Sequence, residues 1–326
     1  MISSGQRLAH SVSIHTTGCL SSGAIALLLV GAWFWLAPAD AEAEFGFQEI
    51  SLIYSEDSGS PAVQAGSHPF AVSATVDLRT AATGSELMPD GELRGLNVYL
   101  ARGLVSAPLL LPHCRHSQLA NDACPHDSAV GTIQLASRLE GEAVPYIVQA
   151  PLYNLDPLGG TAAEFGIYLK AGGVELPLTI QFGISPLRPH LLFASLVDAP
   201  RILPVFGFQI VLWGNPGDPA HDPYRGKCGN AFAEGETFEL LSSGTCPLDN
   251  GLETPLLSLP TNCAPGIASF EATAWDRPTR AAATMELPAL QGCQVLPFSP
   301  SLNAAPTTRH AGLPTPVHRS VAPPNR

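Results

Sequence analysis

The sequence predicts an all-β protein in which antiparallel sheets pack face to face as two disulfide-braced β-sandwich domains. Three observations lead to this fold class. Apolar and polar residues alternate in one short segment after another, which is the pattern of half-buried strands. The 30 glycines and 31 prolines of the 326 residues separate these segments, as turns do in such folds. Charged residues make up only 13% of the chain, too few for the polar faces of surface helices.

The alternation identifies the individual strands. In the first clear segment, Val72, Val76 and Leu78 point to one face, while Ser73 and Asp77 point to the other. Four more segments follow the same rule, at 96–100, 176–182, 206–212 and 270–274. Weaker candidates lie at 49–54, 130–137, 146–153, 164–170 and 191–197. The chain is therefore expected to contain about a dozen strands.

Turn residues separate these strands and suggest where the chain divides. Pro89-Asp90-Gly91 supplies residues that favour tight turns, and the Gly159-Gly160 and Gly172-Gly173 pairs are typical hairpin tips. A new run of strands begins near Pro151. We therefore expect one sandwich domain over residues 42–150 and a second over residues 151–296.

The N-terminal residues 1–41 have the three-part layout of a secretory signal peptide. Arg7 precedes an apolar run at 24–36, and the triplet Ala39-Asp40-Ala41 is a cleavage site of the A-x-A kind. Cleavage after Ala41 leaves Glu42 as the new N-terminus. In the alternative interpretation the signal is not cleaved, and residues 18–37 anchor the protein in a membrane. Both interpretations place the body of the protein outside the cytoplasm, in the envelope or secreted.

The cysteines support export. Signal cleavage removes Cys19 and leaves six of the seven cysteines, an even number that is typical of disulfides in an exported protein. Six cysteines allow 15 pairings, and neighbours along the chain are the simplest partners. These neighbours are Cys114 with Cys124, Cys228 with Cys246, and Cys263 with Cys293.

Charge and composition restrict the partners. The net charge of −12 disfavours nucleic acid and anionic lipid, because both require basic surfaces. We expect partners among envelope or extracellular molecules, and membrane contact only through an uncleaved N-terminal segment. Residues 297–326 hold seven prolines and few apolar residues. That composition predicts a disordered tail.

One loop concentrates the polar residues that could support chemistry. Between Trp213 and Gly226 the chain carries Asp218, His221, Asp222 and Arg225 among glycines and prolines. The two aspartates and the histidine could bind a divalent cation or exchange protons. The alternative is a rigid turn whose polar side chains bond to their own backbone. The D-x-D-x-D-G spacing of a calcium loop is absent.

Other candidate sites are weaker. The histidines near the first cysteine pair suggest zinc, but their spacing does not match a zinc finger, and a disulfide is the better interpretation. His68 precedes a strand, where a bond to the backbone is expected. Two carboxylates could cleave glycosides if the fold brought them together. The residues in question are His113, His116 and His126 for zinc, and Asp198, Asp222 and Glu271 for glycoside cleavage. The sequence contains no nucleophile elbow, phosphate loop or dinucleotide fingerprint.

Several short strings together resemble a group of large, uncharacterised bacterial secreted proteins built from β-rich modules. The strings occur in a fixed order, and the resemblance spans residues 45–303. It implies secretion and a β-rich fold but no activity, cofactor or catalytic residue. Members of the group often continue into further modules, which suggests that this chain is short or truncated. The strings are Gln64–Pro69, Cys124–Gly131, Leu152–Leu155, Trp213–Asp222 and Leu259–Cys263.

The sequence therefore predicts an exported envelope or extracellular module that binds other molecules without catalysing a reaction. Two alternatives stay open. One is a secreted carbohydrate-active or metal-dependent enzyme on a β-sandwich fold. The other is an adhesion module stabilised by calcium. No cofactor is expected unless the polar loop binds Ca²⁺.

Overall fold

The structure, a computed structural model, is described for the following residues. They are 44–83, 86–138, 145–159, 161–171, 173–188, 191–202, 204–235, 237–249, 251–295, 301–306 and 317–322, with the backbone alone for 171 and the last two ranges. The predicted signal peptide, its cleavage site at Ala41 and Glu42, and the alternative anchor over 18–37 lie outside these residues.

Strands dominate the described chain, and every segment that the alternation predicted to be a strand is one. They are β1 Phe47–Ser55, β2 Ala71–Leu78, β3 Thr80–Thr83, β4 Glu86–Pro89, β5 Leu93–Tyr99, β6 Val105–Ser106, β7 Ala129–Ser137, β8 Tyr146–Leu155, β9 Ala163–Ala171, β10 Val174–Ile184, β11 Leu192–Leu196, β12 Val205–Trp213, β13 Ala231–Glu234, β14 Leu257–Ser258, β15 Ile267–Ala274, β16 Arg280–Glu286, β17 Ser301–Pro306 and β18 Val317–Ala322.

Helices are few and short. The only α-helix within the described residues is α1, His116–Leu119. Short 3₁₀ helices occur at Pro108–Leu110, His126–Ser128, Pro219–Tyr224, Gly226–Gly229 and Cys293–Val295. The all-β, antiparallel fold class is confirmed.

Twelve strands form one antiparallel sheet. Its order is β1-β2-β12-β7-β8-β9-β10-β11-β5-β15-β16, and β13 adds to β8 beside β9. The sheet curves so far that β1 and β16, the two ends of this order, come into contact. Phe47 of β1 meets Phe270 of β15 edge to face, with ring centroids 6.4 Å apart. Opposite halves of the sheet therefore face each other across one core, as the layers of a sandwich do.

The expected division into two domains at Pro151 needs correction. Pro151 lies within β8, and residues Ala43–Arg326 form one compact unit. β12 inserts between β2 and β7, so strands from both sides of the expected boundary alternate in the same sheet. The physical reason is that β8 bonds to β7 on one side and to β9 on the other, and the ladder continues across the boundary.

The concave face of the sheet carries the main hydrophobic core. Inward rows of β2, β5 and β15 contribute side chains such as Val76, Val98 and Phe270, none more than 5% exposed. Burial of each large apolar side chain contributes about 1.5–3 kcal/mol of stability. These rows are the ones that the period-two pattern identified.

The convex face of β7 and β8 is covered by the long segment between β12 and β14. Gln134 and Gln149, directly opposed across the two strands, both lie under this segment. The amide of Gln149 donates to the carbonyls of Gly229 (2.9 Å) and Leu241 (2.6 Å) and accepts from the Leu241 N–H (2.8 Å). Gln134 donates to the Glu239 carbonyl (2.5 Å). Two buried amides thus attach an otherwise irregular loop to the sheet.

The three disulfides pair neighbours along the chain, as proximity suggested. They join Cys114 to Cys124, Cys228 to Cys246, and Cys263 to Cys293. Cys114 and Cys124 are therefore not available as zinc ligands. Three disulfides indicate a protein that folds in an oxidising compartment.

The tail differs from its prediction. Composition predicts no regular structure after residue 296, whereas β17 and β18 pair with each other antiparallel. Val317 and Val321 of β18 favour a strand by their shape. These two strands bond to no other strand among the described residues.

Candidate binding site

The four residues of the polar loop lie around one turn, where Asp218 is partly buried and the other three are buried. Asp218 precedes the 3₁₀ turn Pro219–Tyr224 and accepts a hydrogen bond from the Ala220 N–H (3.0 Å) at its start. His221 and Arg225 expose only 1% and 0% of their surface. The loop therefore matches the second of the two interpretations, a turn held by its own polar groups.

Arg225 is the centre of this network. Its Nε donates to Oδ1 of Asp222 at 3.1 Å, its Nη1 to the Pro216 carbonyl at 2.6 Å and its Nη2 to the Asp218 carbonyl at 3.0 Å. The guanidinium also lies 5.3 Å from the centroid of Trp213. Every nitrogen of the guanidinium has a partner, which is the condition for burying a charge.

Two glycines let the loop pass close to neighbouring backbone. A Cβ on Gly214 would lie 1.6 Å from the Pro69 carbonyl oxygen, and one on Gly217 would lie 1.5 Å from that of Leu252. Both positions exclude any other residue type while the backbone stays where it is. The glycines at these positions allow the close packing that buries Arg225.

His221 is stacked between two aromatic rings. The Trp213 ring lies 4.5 Å away at an interplanar angle of 8°, and the Phe70 ring lies 4.4 Å away at 33°. Burial, supported by the nearby Arg225 charge, lowers the pKa of His221 to about 3 although Asp218 acts in the opposite direction. The imidazole is neutral at pH 7, and its Nε2 is buried without a partner. Its contribution here is packing.

These contacts weigh against the enzymatic and calcium interpretations of the loop. Asp222 is occupied by Arg225, and His221 has no access to solvent. Within the described ranges, no group of three or more His, Cys, Asp or Glu side chains is arranged to hold a metal ion.

The other candidate residues are separated by the fold. Asp198 pairs with Arg94 (3.0 Å), Glu271 pairs with Arg188 (2.6 Å), and Asp222 belongs to the buried network. The three carboxylates offered for glycoside cleavage thus each have an arginine of their own.

Three of the four histidine candidates, His68, His116 and His126, are accounted for by local contacts. His68 Nδ1 donates to the Leu257 carbonyl (2.9 Å), which is the backbone bond expected for this residue. His116 lies 3.3 Å from Glu164 on β9. His113 Nε2 is buried without a partner, and His126 packs against Gly226.

A second feature of the molecule, which the sequence does not predict, is an apolar cleft of about 350 Å³ at one end of the sheet. One wall is the segment Leu104–Leu109, which includes β6, and the other is formed by the ends of β10 and β11. Phe182, 2% exposed and packed on Phe165, closes the floor. The remaining lining residues are Ala162, Ala163, Gly183, Ile184 and Leu192. We call this feature the apolar cleft.

Backbone and side-chain hydrogen bonds outside the apolar cleft hold its outer wall in place. β6 pairs with β14, and the Ala107 N–H donates to the Leu256 carbonyl at 2.9 Å. The Asn154 amide donates to the Pro108 carbonyl at 2.9 Å. These bonds fix the wall at a distance from β10, so the cleft is preformed.

The mouth of the cleft exposes large apolar side chains. Val105, Leu109 and Ile184 have 59%, 63% and 65% of their surface exposed. Ser106 also lines the cleft, but its hydroxyl is buried beneath the cleft surface. A largely apolar concavity is the usual form of a small-molecule site.

Sequence reasoning missed this cleft because its residues come from four separate segments. The only local signal was the apolar string Leu109-Leu110-Leu111, which matches no strand pattern. In the part of the chain that the structure describes, no helix has the length and hydrophobicity to span a membrane. Comparisons with known protein families, with characterised proteins and with solved structures found no match.

Proposed function

We propose that this protein is an exported envelope or extracellular module that binds a small apolar ligand in the apolar cleft and catalyses no reaction. The observation that carries this proposal is the cleft itself. Its volume of about 350 Å³ falls in the range of roughly 300–1,000 Å³ of small-molecule sites. Three disulfides support the exported location, because disulfides form in oxidising compartments.

The exposed side chains at the mouth supply the driving force for binding. Val105, Leu109 and Ile184 face water in the free protein. A ligand that covers them gains about 25 cal/mol for each Å² of apolar surface removed from water. Because the cleft is preformed, little of this gain is lost to ordering the protein.

The lining of the cleft restricts the class of ligand. Its described lining residues are almost all apolar, and none of them is charged. A sugar or a charged peptide would lose hydrogen bonds to water on entering such a space without gaining new ones. We therefore propose an apolar ligand, and not a sugar or a charged peptide.

Filling the apolar cleft is expected to abolish binding. Ala162 lines the cleft and is itself exposed, so Ala162→Trp places a large ring in the space without disturbing the core. Titration with an apolar fluorescent dye should show at least a roughly tenfold loss of affinity, because a contact area worth about 1.4 kcal/mol or more is blocked. Ile184→Asn should also lower the affinity for the dye, by a smaller factor.

The matched control is Ile53→Asn. Ile53 lies on β1, is 51% exposed and does not line the cleft. It should leave dye affinity unchanged. Equal affinity for wild type and Ala162→Trp would reject the cleft as the binding site.

Export has its own test. The protein recovered from outside the cytoplasm should begin at Glu42, as cleavage after Ala41 requires. Mass spectrometry should show a gain of about 6 Da on reduction, since each of three disulfides takes up two hydrogens. Recovery of residues 1–41 intact from the membrane fraction would favour the anchored form instead.

A further inference from the structure

The interior of the sheet contains a separate apolar cavity of about 80 Å³, at the end away from the apolar cleft. β10 connects the two features, because Leu176 and Leu178 near its start line the cavity and Ile184 at its end lines the cleft. Eighteen residues surround the cavity, all apolar, and all but Phe208 and Pro200 are aliphatic chains of Leu, Ile, Val or Ala. We call this space the interior cavity.

The interior cavity is an exception to the packing of the core. Side chains in protein interiors normally leave few voids larger than a water molecule. Leu176, Leu178 and Ile210 point inward yet are only partly buried, because they face this space. A void with such a lining lowers stability, since its walls lose packing partners. A ligand that fills it would restore those contacts.

The segment Asp198–Ile202 closes the mouth of the interior cavity. Ala199, Pro200 and Ile202 line the space from this segment. The Ala199 N–H donates to the Arg94 carbonyl (2.7 Å), and the Trp275 indole donates to the Ala199 carbonyl (2.9 Å). Ile202 is 52% exposed, so the wall of the cavity reaches the surface here.

Two arginines stand at this mouth. Arg94 pairs with Asp198 at 3.0 Å, and Arg201 pairs with Glu92. The four side chains are between 48% and 58% exposed. Ion pairs this exposed are weak and are exchanged readily. Arg94 also lies over the Trp275 ring at 4.5 Å. An anion that arrives from solvent would therefore bind by displacing Asp198 or Glu92 from these half-exposed pairs.

We propose that the interior cavity binds the end of a linear saturated chain whose carboxylate lies at Arg94 and Arg201. The aliphatic lining has no polar group to match a polar ligand. Its volume is about half of the roughly 150 Å³ of an apolar cavity that holds benzene, which favours a narrow chain over a ring. A carboxylate is the anion whose geometry fits a guanidinium in two parallel hydrogen bonds.

Octanoate and octanol provide the test, because they share a chain and differ in the head group. Isothermal titration of the full chain at pH 7 and low salt should show octanoate binding roughly three- to tenfold more tightly than octanol, the gain expected from exposed charge pairs. In the double variant Arg94→Gln, Arg201→Gln the two ligands should bind equally well, while octanol keeps its wild-type affinity.

Two variants test the cavity itself. Ala194→Leu adds volume to the lining from β11, and Ile202→Trp adds it from the half-exposed mouth, where misfolding is not expected. Each should weaken both ligands by at least about tenfold. Ala162→Trp in the apolar cleft should leave octanoate binding unchanged, which separates the two sites.

Each result of these titrations tests a different part of the proposal. No binding of either ligand, or binding that survives Ile202→Trp, overturns the proposal for the interior cavity. Equal binding of octanoate and octanol by the wild type overturns the role of the two arginines. Loss of octanoate binding in Ala162→Trp would place the ligand in the cleft and likewise overturn this inference. None of these results changes the dye test for the apolar cleft.

Discussion

Replacement of Arg225 by methionine is expected to destabilise the folded protein by about 3–5 kcal/mol, the usual result of breaking a buried ion pair from one side. The substitution keeps much of the side-chain volume and removes the charge. Asp222 would remain buried without its counter-charge, and the carbonyls of Pro216 and Asp218 would lose their donors. Urea unfolding at pH 7 measures the loss as a shift of the transition midpoint.

An exposed arginine gives the matched control. Arg280 pairs with Glu271 at 3.5 Å and is 65% exposed, so Arg280→Met should cost no more than about 1 kcal/mol. Arg225→Lys should fall between the two variants. Lysine keeps the positive charge beside Asp222, but it lacks the planar guanidinium that donates to both carbonyls at once. If Arg225→Met were as mild as Arg280→Met, the buried network would have no structural role.

The sequence predicts the strands of this protein well because most of them have one side that faces the solvent. On β2 and β15 each polar residue between two apolar ones points away from the core, so the period-two pattern is visible. β7 and β8 differ, since all their residues are buried. They were found only as weaker candidates, and the covering loop that buries their outer face is distant in the chain.

The order of the strands in the sheet could not be predicted from the sequence, for a different reason. β12 inserts between β2 and β7, although more than sixty residues separate β7 and β12 in the chain. Nothing local in the alternation of either strand specifies its neighbour, because backbone hydrogen bonds are the same for every pair. The prediction therefore divided the chain where a new run of strands began and arrived at two domains.

The sequence locates the polar loop, but it does not show that most of the loop's polar side chains are buried. Clustered Asp, His, Gly and Pro predict a tight turn, and Asp218 does cap one. Burial of Arg225 depends on Trp213 and on the close approach at Gly214, which a linear pattern does not reveal. The apolar cleft and the interior cavity are still less visible, because each is assembled from strands far apart in the chain.

His221 is expected to make the protein sensitive to mild acid. Its folded-state pKa of about 3 lies well below the 6.5 of an unperturbed histidine. Below pH 6.5 the unfolded chain takes up a proton that the folded protein does not, so stability falls as the pH is lowered through this window. The loss approaches about 5 kcal/mol by pH 3, at about 1.4 kcal/mol for each pH unit.

His221→Phe isolates this effect. Phenylalanine can keep the stack between Trp213 and Phe70, and it cannot take up a proton. Since His221 Nε2 has no partner, that nitrogen contributes no hydrogen bond that the substitution could remove. Urea unfolding of both proteins at pH 7 and pH 4 should show a loss on acidification that is smaller in the variant by about 3 kcal/mol.

His116→Gln controls for a general effect of removing a histidine. His116 is partly exposed and lies beside Glu164, so its removal should leave most of the acid sensitivity in place. The same acid-induced loss in wild type and His221→Phe would mean that His221 accepts a proton in the folded protein. In that case the loop would be open enough for acid–base chemistry, and the enzymatic interpretation of Asp218, His221 and Asp222 would return.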